Sequence, residues 1–100
     1  MIFAEMDYQR DYWDLHDELT TFLRSRFAHV ESGLQCDSHI SILDGDEKVL
    51  IDTFTSMKHQ IKSRKSGRHV QEVIQSLQRA YKLKIYDKPE LESHEEDADE

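Results

Sequence analysis

Residues 34–55, LQCDSHISILDGDEKVLIDTFT, decide the fold class of this chain. Across 34–43, Leu34, Cys36, Ser38, Ile40 and Ile42 alternate with Gln35, Asp37, His39 and Ser41, the period of a half-buried strand. Asp44-Gly45 then offers the positive φ angles of a tight hairpin turn. A return strand begins near Glu47 or Lys48 and carries Val49, Ile51, Thr53 and Thr55 on one face, with Leu50 and Phe54 on the other. Thr53 to Ile61 stays rich in β-formers, so this strand is long or bulged, or a further short strand follows near 57–62. An antiparallel hairpin thus stands in the middle of the chain.

Helical patterns flank it. Tyr8, Tyr12, Leu15, Leu19, Phe22, Leu23, Phe27 and Val30 recur at steps of three and four, predicting an amphipathic helix over 7–31. Asp7 is the expected N-cap, and Gly33 the stop signal. Such a helix has about seven turns, more than a core of this size covers, so one end is expected to project. Val70, Val73, Ile74, Leu77, Ala80 and Tyr81 make a second, three-turn helix, capped by Ser66 or by a His69–Glu72 capping box. Leu83 and Ile85 alternate with Lys82, Lys84 and Tyr86 in a final strand. The order α-β-β-α-β favours an α+β two-layer sandwich, an antiparallel sheet with its helices on one face.

The chain's 100 residues suit one domain, expected over 1–89, and 37% hydrophobic content supplies one modest core. No apolar run approaches a membrane span, and MIFAEMDYQRD has neither the basic nor the apolar region of a signal peptide. Cys36 is the only cysteine, which removes intramolecular disulfides and points to a reducing, cytoplasmic setting.

Charge is distributed in blocks. The formal net charge is −8, yet residues 1–52 hold 12 acidic against 4 basic groups, and residues 53–89 hold 9 basic against 2 acidic. Residues 90–100, ELESHEEDADE, add seven acidic groups and no basic ones. That last segment follows Pro89, which is expected to end any regular ladder, and it has too little apolar surface to offset its ordering entropy. It reads as a disordered acidic tail, either solubilising or folded back on the basic half.

Catalytic and metal motifs are sparse. Asp14, Asp17 and Glu18 cluster on one helix, but no matching histidine-supported set appears on the second. Cys36 and His39 fall on opposite faces of a strand, and Cys36 is expected to point inward as a small hydrophobe. Asp44, Asp46 and Glu47 lack the spacing of a calcium loop, and no HExxH, GxSxG, CxxC or phosphate loop occurs. We therefore expect no metal, no cofactor and no catalytic residue.

Two surfaces stand out. Lys58, Lys62, Arg64, Lys65 and Arg68 form a basic run with no acidic residue between Asp52 and Glu72. With the helix start beside it, this run is a candidate for phosphate, and hence for RNA or single-stranded DNA. Tyr8, Tyr12, Trp13, Asp14 and Asp17 form the other, an aromatic-acidic helix margin of the composition found at protein interfaces. The leading expectation is a small cytoplasmic adaptor-like or regulatory protein without catalytic activity. It would bind a protein partner or itself, acidic half against basic half as a homodimer, and no membrane. Nucleic-acid binding restrained by the tail is the alternative. An enzyme is the third reading and would need Asp14, Asp17 and a histidine to converge on one cleft.

Overall fold

The fold was obtained as a computed structural model, in which residues 1–91 are described. It is α+β, with two helices and a six-stranded sheet. The elements in chain order are β1 (Ile2–Met6), α1 (Tyr12–Arg24), β2 (Val30–Leu34), β3 (Ser38–Asp44), β4 (Glu47–Asp52), β5 (Gln60–Lys62), α2 (Arg68–Gln78) and β6 (Leu83–Glu90). Their spatial order is β2-β3-β4-β5-β1-β6, and every neighbouring pair is antiparallel. The expected order α-β-β-α-β lacked β1 and β2, and the extra strand expected near 57–62 is β5.

The predicted helix over 7–31 is cut at both ends by local hydrogen bonding. Asp11, not Asp7, caps it: the Trp13 backbone N–H donates to Asp11 Oδ1 at 2.8 Å. At the other end Ser25 Oγ donates to the Phe22 carbonyl at 2.6 Å, and the Phe27 N–H closes on Leu23. Tyr8 precedes the helix, and Val30 belongs to an edge strand. Gly33 ends no helix; it lies inside β2 opposite His39, whose ring occupies the space a Cβ would need.

The hairpin expected over 34–55 forms only over 38–52, with Leu34 in β2 and Thr53 and Thr55 beyond the end of β4, and with a short turn between Asp44 and Glu47, which pair directly. Gly45 takes φ 61° while the following Asp46 has no positive φ, the pattern of a type II′ turn. A Cβ at Gly45 would meet nothing within 4 Å, so substitution there is a pure test of backbone strain. Gly45→Ala and Gly45→Asn are each expected to cost roughly 1–2 kcal/mol in chemical denaturation, because the first central position of a II′ turn lies outside the left-handed helical region that Asn tolerates. An Asn variant markedly more stable than the Ala one would refute this turn geometry.

Two further corrections concern the strands. Cys36 is exposed in the β2–β3 turn, because β3 starts only at Ser38. β6 continues through Pro89 to Glu90, which pairs with Ile2. Pro89 is tolerated because β6 is an edge strand, where a missing N–H breaks no ladder on the open side. The rest of the acidic segment, 92–100, lies outside the described residues.

Core residues come from both helices and the sheet. Leu15, Leu19 and Leu23 of α1 and Val70, Val73, Ile74 and Leu77 of α2 join Ala4, Met6, Ile40, Ile42, Val49, Ile51 and Ile61 in one cluster. Register aligns Ile40 with Ile51 and Ile51 with Ile61, so one row of isoleucines crosses three strands. The alternate sheet face carries His39, Ser41, Leu50, Asp52, Gln60 and Lys62, and is polar.

Candidate functional site

The expected surface on α1 divides into anchored and free parts. Leu15, His16, Leu19, Thr20 and Leu23 are buried, so Trp13, Asp14 and Asp17 point away from the core. Trp13 is 48% exposed, while its backbone is held by the Asp11 cap. Tyr12 is tied down, its hydroxyl donating to the Cys36 carbonyl at 2.8 Å. Glu18, one turn on, accepts from Arg10 at 3.0 Å and from the Tyr81 hydroxyl at 2.9 Å. Those hydrogen bonds hold the Glu18 carboxyl below its ordinary range, and burial followed by Glu18 pushes Tyr81 up to about 12.

Tyr8 leaves this surface altogether. It enters a chain of polar groups linking four segments. The Tyr8 hydroxyl lies 2.8 Å from His59 Nδ1, His59 Nε2 lies 2.7 Å from Ser38 Oγ, and Ser38 Oγ lies 2.6 Å from His16 Nδ1. The His59 backbone N–H also donates to the Tyr8 oxygen at 3.1 Å. Proton counting favours one direction. Tyr8 donates to His59 Nδ1, His59 Nε2–H donates to Ser38, and Ser38 donates to His16 Nδ1. Reversing it leaves the Tyr8 proton without an acceptor among the described residues.

Both imidazoles are therefore neutral. Burial, then the nearby His16, pushes His59 down to about 4, and burial lowers His16 as well. Burial also raises Tyr8 to about 12. A serine between two imidazoles has the composition of an activated nucleophile, but Ser38 and His59 are fully enclosed. Nothing outside the protein reaches the Ser38 oxygen, so the chain acts as a polar staple of α1, β3, the β4–β5 loop and the segment after β1. Sequence reading missed it. The usable signal was Ser38 itself, a hydroxyl on the apolar face of a strand, which must find a buried partner.

The basic run is dispersed. Lys62 does not reach solvent: its ammonium sits 2.6 Å from Asp52 Oδ1, with side chains 3% and 1% exposed. Lys65 pairs with Glu47 at 2.9 Å and Arg68 with Glu72 at 2.8 Å, both at the surface. The Lys65–Glu47 contact shifts each partner toward its charged form, Lys65 upward and Glu47 downward. Lys58 donates to the Tyr8 carbonyl and lies over its ring, 4.6 Å from the centroid. Arg64 lines an open cleft of about 320 Å³ with Lys48, Lys65, Asp46 and Glu47. That cleft mixes both signs of charge.

The capping box expected from His69 and Glu72 is absent, since Gly67 is the N-cap of α2 and its cap makes no side-chain hydrogen bond. His69 instead meets Ser63 Oγ at 3.0 Å and lies 3.6 Å from Glu47 Oε2. Asp14 and Asp17 do not converge with a histidine either, because His16 turns inward to Ser38. Among the described residues no group of three His, Cys, Asp or Glu side chains is arranged to hold a metal ion. No helix among them is long and apolar enough to cross a membrane. Comparison with known proteins finds no matching family model, no matching curated protein and no matching solved structure.

Proposed function

We propose that this protein is a small adaptor-like binding module that engages a protein partner, or a second copy, through the outer face of α1. The carrying observation is Trp13, half exposed on a rigidly capped helix start beside the outward carboxylates of Asp14 and Asp17. This patch, Trp13, Asp14 and Asp17, lies on the exposed side of α1, away from the buried Leu15, Leu19 and Leu23. Its chemistry fits an apolar cleft rimmed by Lys or Arg. Aromatic anchors of this kind dominate interface energetics.

Trp13→Ala is expected to weaken partner binding about thirtyfold, the effect of a 2 kcal/mol hot spot. Immobilised wild type and Trp13→Ala protein, exposed to nuclease-treated native extract, provide the measurement. A protein retained by wild type and lost with Trp13→Ala and with Asp14→Lys/Asp17→Lys supports the reading. Equal retention on all three overturns it. Reading the molecule as an RNA or single-stranded DNA binder through Lys58, Lys62, Arg64, Lys65 and Arg68 has weaker support. Lys62 is buried, and Lys65 and Arg68 already face carboxylates.

A further inference from the structure

The two edges of the sheet are unlike each other. β6 carries Lys84, Lys88 and Pro89, charges and a missing N–H of the kind that blocks strand addition. β2, VESGL, carries one charge, Glu31, and no proline. Its pairing to β3 determines which backbone groups remain open. The Leu43 N–H bonds the His29 carbonyl, so by alternation Glu31 and Gly33 bond inward to β3. The N–H and C=O groups of Val30, Ser32 and Leu34 therefore point off the sheet.

We infer that β2 is a self-pairing edge, at which two copies of this chain join their sheets antiparallel about a two-fold axis through Ser32. This does not rest on the α1 reading. In that register Ser32 meets Ser32, and each exchanges both backbone hydrogen bonds with its counterpart. Val30 meets Leu34 of the second copy in the same type of pair, apolar against apolar. Glu31 meets Gly33 of the second copy in the closer, non-hydrogen-bonded type of pair, where Cα atoms approach to roughly 4.5 Å. Glycine suits that approach. The His39 ring lies across Gly33, where a Cβ would overlap it, so the Glu31 carboxylate arrives beside an imidazole N–H donor. No like charges face each other in this register, and a two-fold interface of this kind closes at two chains.

The full-length chain tests this by sedimentation from micromolar to submillimolar concentration. Its mass should rise from 11.9 kDa toward twice that value. Over the same range the amide protons of Val30, Ser32 and Leu34 should gain protection from exchange. Ser32→Pro removes only an outward N–H and should leave a folded monomer. Glu31→Lys, a change at an exposed position, should weaken association at least about tenfold, one lost charge-assisted contact. Trp13→Ala should leave it unchanged. A wild type that stays at 11.9 kDa throughout overturns the inference. So does a dimer that survives Glu31→Lys with unprotected β2 amides, or one that Trp13→Ala dissolves.

Discussion

Replacing Lys62 with methionine is expected to lower the unfolding free energy by about 3–5 kcal/mol, a large share of the stability of a chain this size. The ammonium and the Asp52 carboxylate face each other at 2.6 Å with almost no solvent access. Neither is held there by the pair's intrinsic strength, because desolvating two charges costs about as much as their attraction returns. The penalty of the single variant comes from the carboxylate left behind without its counter-ion. Asp52→Leu combined with Lys62→Met should therefore recover most of the loss. Recovery stays incomplete, since Asp52 Oδ1 also accepts from the Phe54 N–H at 3.2 Å and holds the loop that follows β4. Urea denaturation of wild type, both single variants and the double variant gives the coupling energy directly. A Lys62→Met loss below about 1 kcal/mol would mean that the pair behaves as a surface contact. The same cycle separates structure from ligand binding, because Lys62 would then act through stability and not through the salt dependence of an anionic ligand.

Acidification from pH 7 to pH 4 is expected to remove roughly 3 kcal/mol of stability through His59 alone, at 1.36 kcal/mol for each unit by which its pKa is depressed. The sign follows from the direction of that change. His59 titrates near 6.5 in the unfolded chain and near 4 in the folded one. Between those values the unfolded chain binds the extra proton, so stability is complete above about pH 6.5 and falls as the pH drops toward 4. His16 moves in the same direction and adds to the slope. The physical cause is burial of the ring first and the neighbouring His16 second. A second proton on His59 would sit on Nδ1, facing a Tyr8 hydroxyl that already points its own proton there. Glu18 and Glu47, whose carboxyls are held below their ordinary value of 4.5, begin to lose their contributions once the pH falls through that value, so they overlap only the acid end of the His59 window. His59→Gln should lower stability at pH 7 and flatten the slope between pH 6.5 and 4. Denaturation midpoints across that range provide the test, and a slope unchanged in His59→Gln would assign the acid sensitivity elsewhere.

These two buried polar clusters mark where sequence reading stopped. Periodicity located the β3–β4 hairpin, its turn at Gly45, the buried stripe Leu15–Leu19–Leu23 and all of α2's apolar face, because each is a repeat within one element. β1 escaped although Met1–Ala4 is an apolar run. Ile2–Met6 is a strand only because β5 and β6 flank it, and those segments lie some sixty and eighty residues away in sequence. Phe27 and Val30 continued the helical period by coincidence, and only the capping at Ser25 ended it. For the sites, the helical wheel put Asp14 and Asp17 on the outer face and Trp13 only at the margin of the stripe, where it could equally have closed the edge of the core; the fold leaves it half exposed. The fates of Tyr8 and Lys62 were not legible in the pattern, since each is settled by a partner on another element.

What the amino-acid sequence specified is therefore local: two amphipathic helices, one hairpin, a polarised charge distribution and the lack of known catalytic motifs. The tertiary structure decided which strands pair, that Lys62 neutralises Asp52 inside the sheet, and that Ser38 joins two histidines and a tyrosine. It also left the β2 edge open while β6 is guarded. The reason is physical. Side-chain periodicity reports the environment of one face of one element, whereas a buried charge or hydroxyl is tolerable only if a complementary group arrives from elsewhere in the chain.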